Sequence, residues 1–207
     1  MIRLNNVTLV AVSSIKIDET ILALTNSMSG IEYDDVILIS HEKPLNLPNN
    51  IRFEKCSKLS NIDQYNWFML FDLVDYIKTD YALVVQYDGY VLRPNKWNDE
   101  FFKYDYIGAP WPKNVHFSNG INIRVGNGGF TLRSKKLLNV LNDLKLPFTD
   151  NGTGYFNEDG VICNYYRKEL EEYGIKYASP DIAAMFSHES DCDENVEEPF
   201  GFHRYKK

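Results

Sequence analysis

Three short apolar runs separated by helical periodicity constrain this chain more than any other feature. Residues 7–12 (VTLVAV), 35–40 (DVILIS) and 82–85 (ALVV) are rich in β-branched residues and lack the polar alternation of a half-exposed strand. Between the first two, Ile21, Leu22, Leu24 and Met28 recur at helical intervals after Asp18, a candidate N-cap, and Gly30 is a stop signal. Between the second and third, a Pro/Asn-rich loop (LNLPNN) precedes Ser60 and Asp63, which have capping-box spacing. Tyr65, Phe68, Met69, Leu73, Tyr76 and Ile77 then predict one long amphipathic helix. Strand, helix, strand, helix, strand predicts an α/β fold with a mainly parallel central sheet, helices on its faces and right-handed crossovers. Sheets of this kind bind ligands at the carboxyl ends of their strands, where Ser13, His41 and Asp88 would gather.

Asp88 carries most of the chemical interest. In ALVVQYDGYVLRPNKW it emerges at the carboxyl end of a buried run, so its carboxylate is placed to hold a divalent cation bridging two phosphates. The plainer alternative makes Asp88-Gly89 a type I′ hairpin turn. His41 also stands at a strand end, although a lone histidine is more often a structural residue.

The pattern changes after Trp97. FFKYDYIGAPW (101–111) is aromatic, 114–124 is a polar loop, and VGNGGFTLRS (125–134) carries Gly126, Gly128 and Gly129. Glycines this dense mark backbone that passes close to something bulky. The spacing is neither a dinucleotide fingerprint nor, without a following GK[ST], a P-loop. Ser134 is placed to cap a helix bearing Leu137, Leu138, Val140, Leu141 and Leu144. After the flexible turn DNGTG (150–154), Asn157, Glu158 and Asp159 open another helix that Gly174 ends. Two acids in a first turn can simply complement the helix dipole. Residues 175–178 predict a last short strand, DCDENVEE reads as a solvated acidic loop, and FGFH (200–203) is too aromatic for a disordered tail.

Composition removes several function classes. Of 207 residues, 22 are basic and 29 acidic, a net charge of -7 with no basic run, which argues against a nucleic-acid partner. No apolar stretch approaches the roughly 20 residues of a membrane span, and the start enters a strand-like run rather than a signal segment, so a cytoplasmic protein is expected, with peripheral membrane association left open. Cys56, Cys163 and Cys192 lack the spacing of a zinc site or a disulfide framework.

Taken together and in order, SHEKP, YNWFM, VVQYDGYVLRPNKW, FFKYDYIGAPWP, VGNGGFTLRSKKLL, NEDGVIC, GIKYASPDIAAMFSHE and FGFH resemble the DUF5672 family of bacterial glycosyltransferase-like proteins. The resemblance implies a GT-A glycosyltransferase fold in one domain, residues 1–97 forming the nucleotide-sugar-binding half and 98–207 the acceptor-binding half. It implies transfer of a sugar from a nucleotide sugar, UDP-linked by expectation, to a glycan acceptor hydroxyl in polysaccharide or glycoconjugate synthesis. Such enzymes carry an Asp-x-Asp element where this chain has Gln86-Tyr87-Asp88, so an amide replaces the first acid. Asp88 and His203 would then hold Mn²⁺ or Mg²⁺, imidazole favouring Mn²⁺. Ser13, His41, Tyr65, Asn66 and Gln86 would contact the nucleotide. NEDGV resembles the helix start supplying the base of inverting enzymes, with Asp159 the first choice and Glu158 the second. Asn127, Gly128 and Gly129 would line the sugars, Tyr106 and Trp111 would form an apolar platform, and Glu189 is the next candidate on the substrate side. Nucleotidyl transfer is an alternative, though SSIKIDE after the first run lacks a glycine-rich basic loop. A non-catalytic sugar-binding module, its first acid lost, is another.

Overall fold

A computed structural model describes residues 1–112, 124–146, 157–189 and 196–204. The chain opens with strand β1 (Ile2–Val12), helix α1 (Ile17–Ser27), β2 (Ile31–Ser40) and β3 (Arg52–Lys55). Helix α2 (Ile62–Trp67) leads to β4 (Tyr81–Val84) and β5 (Gly89–Val91). Then come β6 (Tyr106–Ile107), β7 (Thr131–Ser134), α3 (Lys135–Leu144), the single turn α4 (Glu158–Gly160), α5 (Arg167–Glu172) and α6 (Pro180–Phe186). Two short strands close the chain, β8 (Ser187–Glu189) and β9 (Gly201–His203).

Six strands form one sheet in the order β3-β2-β1-β4-β7-β6. The first four run parallel, as the alternation of apolar runs and helices requires, and β7 and β6 add an antiparallel edge. Leu9 and Ala11 of β1 join Leu38 and Leu83 in one core cluster, while Val10 and Val12 join Ile37, Ile39 and Val84 in another. Successive residues of β1 thus feed opposite faces, which explains a continuous apolar run in a strand covered on both sides. The buried Thr8 hydroxyl is satisfied by Thr79 Oγ1 at 2.8 Å. Both β1 and β2 begin earlier than their apolar runs, because Ile2, Arg3 and Leu4 pair with Ile31, Glu32 and Tyr33 before an irregularity in register.

The expected long helix after residue 60 is broken. It begins as anticipated, with Asn61 Oδ1 accepting from Gln64 N–H and the Gln64 side chain reaching back to Ser60 N–H, a capping arrangement one residue from the predicted one. After Trp67 the backbone widens into a π turn (Phe68–Asp72) and tightens into a 3₁₀ turn (Leu73–Tyr76). Phe68, Met69, Leu70 and Phe71 are all buried, the first two in the cluster beside β1 and β2 and the last two in a third cluster under α3. Four consecutive buried residues cannot share one stripe of a regular α-helix, so the periodicity breaks where the segment is wedged between two cores. Gly30 (φ 80°) and Gly174 (φ 73°) stand where helix ends were predicted and adopt the left-handed conformation that favours glycine. Ser134 caps α3, its Oγ accepting from Leu137 N–H at 3.0 Å. The strand expected at 175–178 reduces to one bridge between Tyr177 and Tyr106.

A second, three-stranded sheet of order β5-β9-β8 carries the C-terminal segment across the top of the first. Phe200 is fully buried and meets Phe186 at 5.8 Å and Phe130 at 5.9 Å between ring centroids, anchoring the FGFH strand. Among the described residues no helix is long and apolar enough to cross a membrane. Residues 114–123, 150–154 and Cys192, with most of the acidic DCDENVEE stretch, lie outside the described residues.

Candidate active site

A cleft of about 320 Å³ opens at the carboxyl ends of β1 and β4, a size within the range of small-ligand sites. Ser13 and Ser14 follow β1 into it, Gln86 and Tyr87 follow β4, and Tyr65 and Arg204 complete its polar wall. Ile15 and Ile62 form an exposed apolar rim. Backbone strain concentrates here: Lys16 (φ 48°) and Arg204 (φ 51°) are two of the three non-glycine residues with positive φ among the described residues. Lys16 Nζ lies 3.9 Å from the Tyr87 ring centroid.

Asp88 sits where β4 reverses. Gln86 N–H donates to Gly89 carbonyl at 2.9 Å and Gly89 N–H to Gln86 carbonyl at 3.0 Å, so a two-residue turn exists, with Tyr87 and Asp88 at its centre. Neither central residue has positive φ, which excludes type I′. Strand β9 lies beside β5 in register Gly89 to His203, and Arg204 N–H donates to the Asp88 carbonyl at 2.9 Å. Asp88 and His203, 115 apart in sequence, are thereby brought together. His203 Nδ1 faces Glu189 Oε1 at 3.2 Å, and with Nδ1–H as donor to that carboxylate Nε2 is the ring nitrogen turned toward Asp88. His203 Nε2 and Asp88 Oδ1 are 3.6 Å apart, both buried, and neither has a hydrogen-bond partner among the described residues.

Two electron-rich buried atoms facing one another call for a cation or a proton between them. The pair fits a divalent cation, with Asp88 the hard ligand and His203 the softer one. Among the described residues no group of three or more His, Cys, Asp or Glu is arranged to hold a metal ion, and phosphate oxygens and water commonly complete the shell of such a cation.

The second candidate centre is reached through the glycine loop. Gly129 passes so close to His203 that a Cβ there would lie 2.1 Å from its ring, and at Gly128 a Cβ would lie 2.4 Å from Glu158 Oε1. Gly128 N–H donates to Asp159 Oδ2 at 3.0 Å. Adjacent glycines therefore separate the Asp88–His203 pair from the two acids. Glu158 is buried and paired with Arg133 Nη2 at 2.8 Å, whereas Asp159 remains partly exposed. Burial first, and the neighbouring Glu158 charge second, push the Asp159 carboxyl up to about 7. Only at Asp159 does the pair combine access with a proton affinity suited to a base near neutral pH.

The remaining sequence candidates divide. Ser13, Tyr65 and Gln86 line the cleft, and Gln86 Nε2 donates to Tyr65 Oη at 2.7 Å. Asn66 does not line it: fully buried, it accepts Glu158 N–H at 3.3 Å and supports the acids from beneath. His41 follows β2 and is not among the residues that line the cleft. Tyr106 is fully buried and donates to the Gly126 carbonyl at 2.7 Å, holding up the glycine loop rather than offering a ring to a sugar. Trp111 packs on Gly126, where a Cβ would come within 2.2 Å of its ring. Asn127 is also structural, accepting Gly129 N–H at 3.0 Å. Sequence reasoning passed over Arg133, Arg204 and Lys16. Only the last carried a signal, as the lone cation in the loop after β1.

Residues 48–203 match the family described as "Protein of unknown function (DUF5672)", and the chain belongs to it. No curated protein matches the sequence. The fold is that of GT-A glycosyltransferases. Similar solved structures include a glycosyltransferase involved in glycosylation of the major capsid of PBCV-1, at 15% identity and TM-score 0.53, with 96% of this chain and 92% of that one covered. Another is the galactosyltransferase LgtC in complex with donor and acceptor sugar analogs, at 15% identity and TM-score 0.59, with 95% and 86% covered. A third is the mannosyltransferase PcManGT from Pyrobaculum calidifontis in complex with GDP-Man and Mn²⁺, at 10% identity and TM-score 0.51, with 86% and 55% covered.

Proposed function

We propose that the protein is a metal-assisted glycosyltransferase that moves a sugar from a nucleotide sugar to an acceptor hydroxyl with inversion. The observation that carries this reading is the pair of buried atoms that make no hydrogen bond among the described residues, Asp88 Oδ1 and His203 Nε2, 3.6 Å apart beside a cleft at the ligand-binding end of the sheet. In this reading the base stacks against the Ile15 and Ile62 rim, and the diphosphate lies between Lys16 and Arg204. Asp88 and His203 hold Mn²⁺ or Mg²⁺, which when bound stabilises the charge developing on the leaving diphosphate. Residues 1–97 form the donor half and 98–207 the acceptor half, although β9 returns to lend His203 to the donor side.

Asp159 takes the acceptor proton as the hydroxyl oxygen bonds to the anomeric carbon. The bond from that carbon to the phosphate oxygen breaks at the same time, its electron pair leaving with the nucleoside diphosphate. Kept above the usual carboxylate range, Asp159 is a stronger proton acceptor than an exposed aspartate and is still partly ionised at neutral pH. UDP is the expected nucleotide.

Thermal shift with UDP-, GDP- and CMP-sugars, with and without Mn²⁺, tests the reading. A donor at 100 times its Kd raises stability by about 2.7 kcal/mol, and the shift should need Mn²⁺ and disappear in Asp88→Asn. No shift with any donor would refute it. Gln86, held by Tyr65 where the family pattern has an acid, favours a second reading as a non-catalytic sugar-nucleotide binder. Binding without hydrolysis or transfer of any donor would select that one.

A further inference from the structure

Arg133 is the largest fully buried side chain among the described residues, a permanent charge set on β7 inside the sheet. Its Nη2 donates to Glu158 Oε1 at 2.8 Å and its Nε to Thr131 Oγ1 at 3.0 Å, its guanidinium lies 5.5 Å from the Tyr106 ring centroid, and Nη1 has no partner among the described residues. Glu158 is equally committed, at 5% exposure. A solvated first-turn acid that complements a helix dipole would need neither burial nor a dedicated arginine. Replacing such a pair by apolar side chains is often neutral or stabilising, so stability alone does not account for it.

What the pair touches supplies a reason. Glu158 is joined to Asp159 in sequence, donates its backbone N–H to Asn66 Oδ1, and fills the space left by the missing side chain of Gly128. Gly128 in turn donates its amide to Asp159. Facing Asp159 from the surrounding elements are Glu158, Arg133 of β7, Tyr65 of α2, Tyr106 of β6 and Cys163, and Glu158 contributes the largest charge effect upon it.

We propose that Arg133 and Glu158 are a positioning pair for Asp159: their ion pair anchors α4 against β7, seats the Asp159 carboxyl beneath the Gly128 amide, and keeps a negative charge beside it that strengthens it as a proton acceptor. This rests on the assignment of Asp159 as the base. Glu158 itself then neither touches substrate nor moves a proton. It needs Arg133 in order to stay charged inside the core.

Carboxyl-labelled aspartate in the full-length chain gives a readout that requires no donor, since the resonance missing from Asp159→Asn reports the titration of Asp159. In Glu158→Gln the midpoint should move down by about one pH unit or more. The acid limb of kcat, measured as hydrolysis of whichever UDP-, GDP- or CMP-sugar is accepted, should move with it while KM changes little. Arg133→Lys should keep more of kcat than Arg133→Met. The double variant Arg133→Met, Glu158→Met removes both charges and the burden of burying them, so it is expected to fold. It should shift the midpoint in the same direction, because the Glu158 charge acts on Asp159 more strongly than that of Arg133. An unmoved midpoint in both Glu158 variants would overturn the proposal, as would failure of both to fold, which marks a purely structural pair. Full turnover in Asp159→Asn would strike the base assignment instead, and leaves the midpoint result to be judged separately.

Discussion

Substituting alanine at Gly129 tests the cation site without touching either of its ligands. The added Cβ would lie 2.1 Å from both Cδ2 and Nε2 of His203 and 2.5 Å from Cε1, more than an ångström inside ordinary van der Waals contact. The ring cannot retreat easily: it is 5% exposed, its backbone pairs with Gly89, and its Nδ1 is engaged by Glu189. Overpacking of this kind costs about 1–3 kcal/mol. For a chain of this length that lowers Tm by roughly 2 to 4 °C per kcal/mol. The larger effect should fall on the cation, because a displaced Nε2 no longer faces Asp88 Oδ1, and disturbing the surroundings of a ligand typically costs roughly 10- to 100-fold in metal affinity. Calorimetry of UDP binding with and without Mn²⁺ measures it: Gly129→Ala should lose the Mn²⁺-dependent part and keep the rest. Gly128→Ala is the control one residue away. Its Cβ meets Glu158 Oε1 and Asp159 rather than His203, so it should retain Mn²⁺-dependent binding and lose turnover. Wild-type Mn²⁺ dependence in a folded Gly129→Ala protein would refute the assignment of His203.

Asp88→Asn and His203→Ala should each weaken Mn²⁺–UDP binding with little loss of cooperative folding, read by calorimetry beside a melting curve; equal affinity in both would remove the cation from the site. Glu189→Gln should keep His203 in place yet weaken its hold on the cation less than His203→Ala does, measured in the same titration. Asp159→Asn should lower kcat by roughly 10²- to 10⁴-fold with donor affinity intact, and near-normal turnover would exclude it as base. Asp159 also makes a prediction about stability. Its folded carboxyl binds a proton up to about pH 7, against about 3.9 for an ordinary aspartate. Its contribution is therefore complete below about pH 4 and is lost as pH rises toward 7. Tm plotted against pH should fall over that window in the wild type and flatten in Asp159→Asn.

The architecture was legible because burial on both faces of a parallel strand leaves a mark in composition, a run without polar alternation. Asp88 was legible for a related reason: an acid that ends such a run stands at the ligand-binding edge of the sheet whatever the remaining details. His203 depended on family resemblance, since nothing local announces that a strand near the end of the chain returns to pair with Gly89. Helix continuity past Trp67 was misjudged because apolar spacing near 3.6 residues does not reveal that Phe68–Phe71 serve two cores at once. Tyr106 looks like a sugar platform in sequence by a rule that holds only on surfaces, whereas its ring is fully buried and its hydroxyl donates to the Gly126 carbonyl.

Arg133 shows where sequence reading runs out and why. Nothing in TLRS marks Arg133 as buried, since an isolated arginine in a polar setting is ordinarily exposed. Its burial follows from a partner 25 residues later, Glu158, which the sequence offers equally well as a dipole-complementing acid. Neither residue is informative alone, and only their meeting across β7 and α4 turns two surface-type charges into a buried pair. The same meeting separates the two acids of NEDGV. Glu158 is engaged by the guanidinium, whereas Asp159 keeps two backbone amides and a neighbouring negative charge. That difference in partners is a physical ground for proposing Asp159 before Glu158 as the base, and the sequence did not contain it.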